Sequence, residues 1–306
     1  MTGMIRLDRT APISPRFATH VPAACLLAVV MAAGCQGSPG ATMLPDAASV
    51  TACPEEPAPR WPSGATMQLD IAPLLAGQPL RFEQANTASD GQVVTPLNFR
   101  FYVSVVSLTK ADGSGTVPAE IVDDKGAVQP FGVHFYSADT PGSDVLRVRA
   151  PAGSYSGLAF VLGLDDSCDT GQPSRDPPLD YKSQMTWPPP FGYLFLRYAG
   201  QTTAPAAPDG GVPADAAAPD SIPTSIDMGG LPGAELAPVM KVAGALILAA
   251  GADTRRTLQL SMDELFKGAS IPARVPAAIA PPGPEGGLGE NLRQSAPTLP
   301  IFGLAP

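Results

Sequence analysis

Apolar and polar residues alternate in short runs from Met67 onward, which is the two-residue period of half-buried β-strands. The clearest run is LNFRFYVSVVSLTK (97–110), whose alternation puts Leu97, Phe99, Phe101, Val103 and Val105 on one face. It stops at Asp112-Gly113, a strong turn signal. MQLDIAP, PLRFEQ, AEIVDD, VQPFGVHFYSAD, DVLRVRAPAG and YSGLAFVLGLD repeat the pattern between Gly, Pro and Asp turns. Strand and turn recur about every ten residues, as expected of a sandwich or barrel. PVMKVAGALILAAG and TRRTLQLS add two further strands, and Ser261 with Glu264 forms a capping box over one short helical turn.

The pattern fails in three places. Between Cys35 and Thr66 the chain is rich in Pro, Ala, Gly and Ser without apolar period, and reads as a flexible tether. Residues 201–223 hold Ala, Pro, Asp and Gly almost exclusively, a composition that buries no core, and read as a low-complexity loop insertion. Residues 269–306 return to Pro-, Ala- and Gly-rich text and read as a loosely ordered tail. The expected architecture is all-β: one antiparallel sandwich-like domain over 67–268, interrupted once.

The first 34 residues belong to targeting. Arg6, Arg9 and Arg16 precede the apolar run VPAACLLAVVMAAG (21–34), the order of a secretory signal. The run is shorter than the ~20 residues a membrane span takes. It ends in Ala32-Ala33-Gly34-Cys35, which looks like a bacterial lipobox with Cys35 as the lipidated residue. The alternative is an ordinary cleaved signal with Cys35 as a bystander. Gln36 after the cysteine resembles outer-membrane sorting. The expected product is a lipoprotein, exported, anchored to the outer membrane through its lipid alone, and facing the periplasm or the cell surface.

Removing residues 1–34 takes away three basic residues and one acidic one, leaving a net charge of −11. An acidic chain with no basic face disfavours nucleic-acid binding. No Ser-His-Asp set and no phosphate-cradling glycine loop is present, and a single remaining histidine leaves little for acid/base work, so no enzyme is expected. Cys53 and Cys168 are the remaining thiols, in a compartment that oxidises thiols. They are read as a disulfide; free thiols and a thiolate ligand at Cys168 stay open. The bond would be worth about 4–5 kcal/mol by chain entropy, before strain.

Four motifs in order carry a family resemblance: FYVSVVSLTKADG (101–113), GSYSGLAFVLGLDD (153–166), PPLDYKSQMTWPPPFGYLFLRYAG (177–200) and VAGALILAAGADTRRTLQLSMDELF (242–266). Together they resemble the MbnP-like proteins, secreted copper-binding proteins named for a periplasmic partner of methanobactin synthesis. The hallmark is Met-x-Trp followed by Gly-Tyr-x-Phe-Leu, here Met185, Trp187 and Gly192 to Leu196. The resemblance implies copper held by histidines, and a tryptophan oxidised to kynurenine by a di-haem cytochrome c peroxidase-like partner. Oxidation would open the indole of Trp187 and leave an aniline nitrogen and a ketone.

This sequence departs from the family in its donors. Pro189 stands where a second tryptophan is usual, LDDSCDTGQ (164–172) lacks the loop histidine, and Asp227 in IDMGG replaces a downstream one. The candidate metal set is therefore Trp187, His134, Met185 and Cys168, with Met228 as a further soft donor; thioether and thiolate would favour Cu(I). Against it, His134 lies in a strand where packing is the ordinary role, and Trp187 is equally a packing residue under Pro188 to Pro190. Asp165, Asp166, Asp169, Asp176 and Asp180 crowd one loop without EF-hand spacing and read as a solvated acidic loop.

Overall fold

The computed structural model describes residues 53, 55–169, 174–187, 192–203, 222–229, 237–252, 254–268, 278–279 and 300–305. The signal region, Cys35, most of the 201–223 insertion and most of the tail lie outside them. In chain order the strands are β1 (Ala65–Leu75), β2 (Gln78–Pro79), β3 (Asn86–Thr87), β4 (Val93–Lys110), β5 (Thr116–Pro118), β6 (Glu120–Ile121), β7 (His134–Ser137), β8 (Val145–Ala150) and β9 (Gly153–Leu162). They continue as β10 (Leu194–Thr203), β11 (Ile222–Gly229), β12 (Val239–Leu248), β13 (Thr254–Ser261), β14 (Ala278–Ile279) and β15 (Phe302–Ala305), with α1 (Met262–Gly268) after β13. No described helix is long and apolar enough to cross a membrane.

Two sheets pack face to face. The smaller runs β15-β13-β1-β8-β6, and the larger β12-β9-β4-β10-β11-β14, with β3, β5 and β7 also paired to β4. Alternating inward residues build the core between them: Met67, Leu69 and Ile71 from β1 and Leu146 and Val148 from β8 meet Phe99, Phe101 and Phe160 of the larger sheet. Phe101 and Tyr136 stack at 4.7 Å, and Phe160 meets Phe302 edge-on at 5.0 Å. The sandwich is not wholly antiparallel, since β1 pairs with β13 in parallel. The chain reaches β13 from β12 in the other sheet, so no hairpin constrains its direction against β1.

Four expectations need correction. First, Leu97 and Val105 are about half exposed (49 % and 54 %) while Phe99, Phe101 and Val103 are buried. The β4–β9 register shifts between Ser104 and Ser107, and Val105 sits there in the left-handed region (φ 48°). The extra residue turns Val105 outward and lets Val106 and Leu108 continue the inward face. Second, the end of the tail is ordered: β15 pairs with β13, and Ile301 and Phe302 are buried. An apolar Ile-Phe pair inside Pro/Gly-rich text is enough to add an edge strand. Third, β10 ends at Thr203 and β11 starts at Ile222, so both strands enter the 201–223 segment.

Fourth, the tether is pinned well before Thr66. Cys53 is disulfide-bonded to Cys168, Phe131 N–H donates to Glu55 O (3.2 Å), and Trp61 N–H donates to Glu120 Oε1 (3.1 Å). Trp61 Nε1–H donates to Pro118 O (2.9 Å), and Arg60 N–H also meets Glu120 Oε1. Residues 55–64 thus strap the smaller sheet, over the buried Glu120–Arg149 ion pair (2.9 Å). Ser261 Oγ accepts from Glu264 N–H (3.3 Å), as the capping box requires, but Ser261 N–H goes to Ile301 O of the tail rather than to the Glu264 side chain.

Candidate functional site

Two strands carry the same interruption. In β4 an arginine stands between aromatics, Phe99-Arg100-Phe101, and in β10 between Leu196 and Tyr198 stands Arg197. The apolar neighbours point into the main core, so both arginines project from the outer face, and the strand register sets Arg197 opposite Arg100. A charged side chain on a sheet face that is then covered must find partners. Arg100, only 7 % exposed, donates to Ser183 O (3.1 Å) and Gln184 Oε1 (2.9 Å) and pairs with Asp139 (2.7 Å). Arg197 donates to Gln184 O (3.0 Å) and lies 3.5 Å from Asp227. The two guanidinium groups therefore fasten residues 183–184, immediately before Met185 and Trp187, to the sheet.

Two tyrosines hold the same covering loop further back. Tyr102 hydroxyl donates to Pro178 O (2.9 Å), and Tyr193 hydroxyl donates to Leu179 O (3.0 Å) while accepting from Ser174 N–H (2.7 Å). Under the loop lies a second, smaller core that includes Tyr102, Leu164, Cys168, Leu179, Met185 and Phe195, with Trp187 packed against it. The hallmark segment folds back on β10: Leu194 N–H donates to Met185 O (2.9 Å) and Trp187 N–H to Gly192 O (3.0 Å).

Trp187 is seated on β11. Ile226 and Met228 point into the main core, which leaves Asp227 and Gly229 on the covered outer face. A Cβ on Gly229 would stand 2.5 Å from Trp187 Nε1 and 2.3 Å from Tyr193 O, so the indole rests directly on glycine backbone and no larger residue fits beneath it. Trp187 Nε1–H is buried without an acceptor among the described residues. Burial raises the Asp227 carboxyl above its ordinary range, and Arg197 opposes that shift.

The candidate metal set is not assembled. Cys168, Met185 and Trp187 share the small core, but Cys168 is consumed in the disulfide and offers no thiolate. Met228 faces the opposite side of the sheet, in the main core. His134 lies elsewhere, its Nε2 bonded to Ser143 O at 2.8 Å. Among the described residues no three His, Cys, Asp or Glu side chains converge. The encoded donors do not fit a histidine-held copper ion. The acidic loop is also less solvated than its composition suggests: Asp169 is 4 % exposed and accepts from Tyr193 N–H (3.0 Å).

Two buried groups make stability depend on pH in opposite senses. Burial, with Arg147 adding to it, lowers His134 from 6.5 to about 4, against the bond to Ser143. Between those values the unfolded chain binds a proton that the folded chain does not, so stability rises with pH. Burial raises Asp169 from 3.8 to about 7, with Asp166 adding to it and the Tyr193 amide opposing. The folded chain keeps that proton where the unfolded chain loses it, so stability falls as pH rises through this window. Urea unfolding between pH 4.5 and 7 is expected to show the opposition resolved by variants. Asp169→Asn keeps an acceptor for Tyr193 and should gain stability with pH, and His134→Gln should lose it. Superimposable profiles for both variants and the wild type would refute the assignment.

The MbnP family model matches residues 64–280. Among solved structures, MbnP from Methylosinus trichosporium is similar, at 17 % identity and a TM-score of 0.48, over 78 % of this chain and 98 % of that one. No curated protein sequence matches significantly.

Proposed function

The chain belongs to the MbnP family, and from that premise we propose that it is an exported, lipid-anchored protein with a copper-related role in the cell envelope, centred on Trp187 and not on a histidine cluster. The observation that carries this reading is the seat of Trp187. Its indole N–H is buried without an acceptor among the described residues, against Gly229 and on the same face of β11 as Asp227. An unpaired buried donor costs about 1–3 kcal/mol. Arg100, Arg197, Tyr102 and Tyr193 nevertheless fasten the covering segment that holds it there.

A redox or chemical role is one reason for a buried polar group to be left unsatisfied. Oxidation by a di-haem peroxidase-like partner, with the indole C2 leaving as formate, would leave an aniline nitrogen and a ketone over Gly229, on the face of β11 that also carries the Asp227 carboxyl. No copper-dependent step is assigned, because His134, Met185 and Cys168 do not converge there. We assign a binding role without catalysis, with Cys35 as the lipid-bearing residue at the outer membrane.

A second reading is a metal-free interaction protein on the same scaffold. It is favoured by the ties already made by the two best ligand candidates: His134 to a carbonyl and Cys168 to Cys53. Protein taken from its native host separates the two. A kynurenine-sized mass increase on the Trp187 peptide, or stoichiometric copper, supports the first. Unmodified Trp187 in metal-free protein without affinity for Cu(I) sinks it.

A further inference from the structure

Pro177 and Pro178 of the covering loop line a cleft of about 530 Å³. Its size is that of a small-molecule site. Three polar groups on it have capacity left over. Arg147 sits between Leu146 and Val148, both of which point into the core, so its guanidinium projects outward. The guanidinium makes no ion pair or hydrogen bond among the described residues, although it stands near enough to Asp70 to help hold that carboxyl below its ordinary range. Asp124 is exposed at the rim without a partner among the described residues, whereas neighbouring Asp123 is spent on the amides of Lys125 and Ala127.

His134 is 8 % exposed, and because its Nε2–H donates to Ser143 O, the neutral ring keeps its Nδ1 lone pair unused. Val133, Phe135 and the two prolines make the apolar part of the lining. The rim carries backbone strain as well: Phe131, next to the lining residue Pro130, is held in the left-handed region (φ 59°), with its amide tied to Glu55 of the strap.

A guanidinium and a carboxylate without partners among the described residues, and a histidine acceptor, around an apolar wall match a ligand bearing both charges. We propose that this cleft binds a small zwitterion with an apolar body, an amino acid or short peptide, with its carboxylate on Arg147 and its ammonium toward Asp124 and His134 Nδ1. A simple anion would leave Asp124 and the His134 lone pair unmatched and repelled. A simple cation would have Arg147 against it. The inference is independent of the Trp187 reading.

Isothermal titration of the full mature chain tests it, with L-leucine and glycyl-L-leucine as probes and N-acetyl-leucine, leucinamide and inorganic phosphate as controls. Both zwitterions should bind, and each singly charged control should bind at least about tenfold more weakly. Arg147→Gln should weaken L-leucine about tenfold or more, and Asp124→Asn should weaken L-leucine while binding N-acetyl-leucine no less well, since it removes a carboxylate that repels an anion. Both variants replace outward-facing side chains, and an unchanged melting temperature confirms that they fold. The proposal is overturned if neither zwitterion binds up to about 10 mM, if N-acetyl-leucine or phosphate binds as well as L-leucine, or if Arg147→Gln has no effect in folded protein.

Discussion

Reducing the Cys53–Cys168 disulfide is expected to remove about 4–5 kcal/mol of stability. The two residues are 115 apart in sequence, so the bond denies the unfolded chain a large closed loop. The bond also joins the strap to the small core beneath the covering loop. Urea unfolding of oxidised protein, reduced protein and the Cys53→Ser/Cys168→Ser double variant measures the effect. Reduced and double-variant proteins should agree with each other and fall well below the oxidised form. A loss smaller than about 1 kcal/mol would show that the crosslink constrains little of the unfolded ensemble.

The second large effect lies at Glu120. Glu120 and Arg149 are each 9 % exposed; Arg149 donates to Glu120 Oε2 from Nε (3.0 Å) and Nη2 (2.9 Å) and to Gly126 O (2.7 Å). The other Glu120 oxygen receives the amides of Arg60 and Trp61. Glu120→Ala leaves a buried guanidinium without its counter-charge and should cost about 3–5 kcal/mol. Replacing both partners with apolar residues relieves the charge but still orphans the strap amides. Glu120→Leu/Arg149→Met should therefore recover part of the loss and stop about 1–3 kcal/mol short of wild type. Full recovery would mean that the strap amides find water, and that Glu120 serves Arg149 alone.

The strands were readable because their period is local. Phe99, Phe101 and Val103 alternate in the text as they do in the core, and Asp112-Gly113 makes the turn its composition announces, with Ser114 N–H bonded to Asp112 Oδ1 (2.9 Å). What alternation does not encode is an inserted residue, which is why the pattern places Val105 on the wrong face. Long-range partners were harder. Nothing near Ile301 or Phe302 says that they close an edge beside β13, and nothing near Glu120 says that it caps a strap about 60 residues earlier.

At the site, the hallmark sequence locates Trp187 and Met185, and the resemblance with the residue types at hand suggests a donor set of which the fold brings only Cys168, Met185 and Trp187 to one core. Met228 was lost to strand parity, because its neighbour Asp227 takes the outer face. His134 is lost the same way: it shares strand parity with Tyr136, which faces the main core, while Val133 and Phe135 on either side of it pack on the small core. The clamp of Arg100 and Arg197 did leave a trace, an arginine flanked by apolar residues in each of two otherwise apolar strands. Its meaning depended on knowing that those strands pair.

The smaller sheet is assembled from strands spread across almost the whole described chain. β1, at residues 65–75, lies between β8 and β13, and β13 is followed in the sheet by β15 at 302–305. Along the chain, Met67, Leu69 and Ile71 precede their β13 partners Thr254, Arg256 and Leu258 by 187 residues each. Such non-local pairing folds on the slow side, in milliseconds to seconds. Until β13 is made, β1 is thus an apolar ribbon open along one edge even after β8 has paired with it, and the smaller sheet closes only when the last quarter of the chain is present.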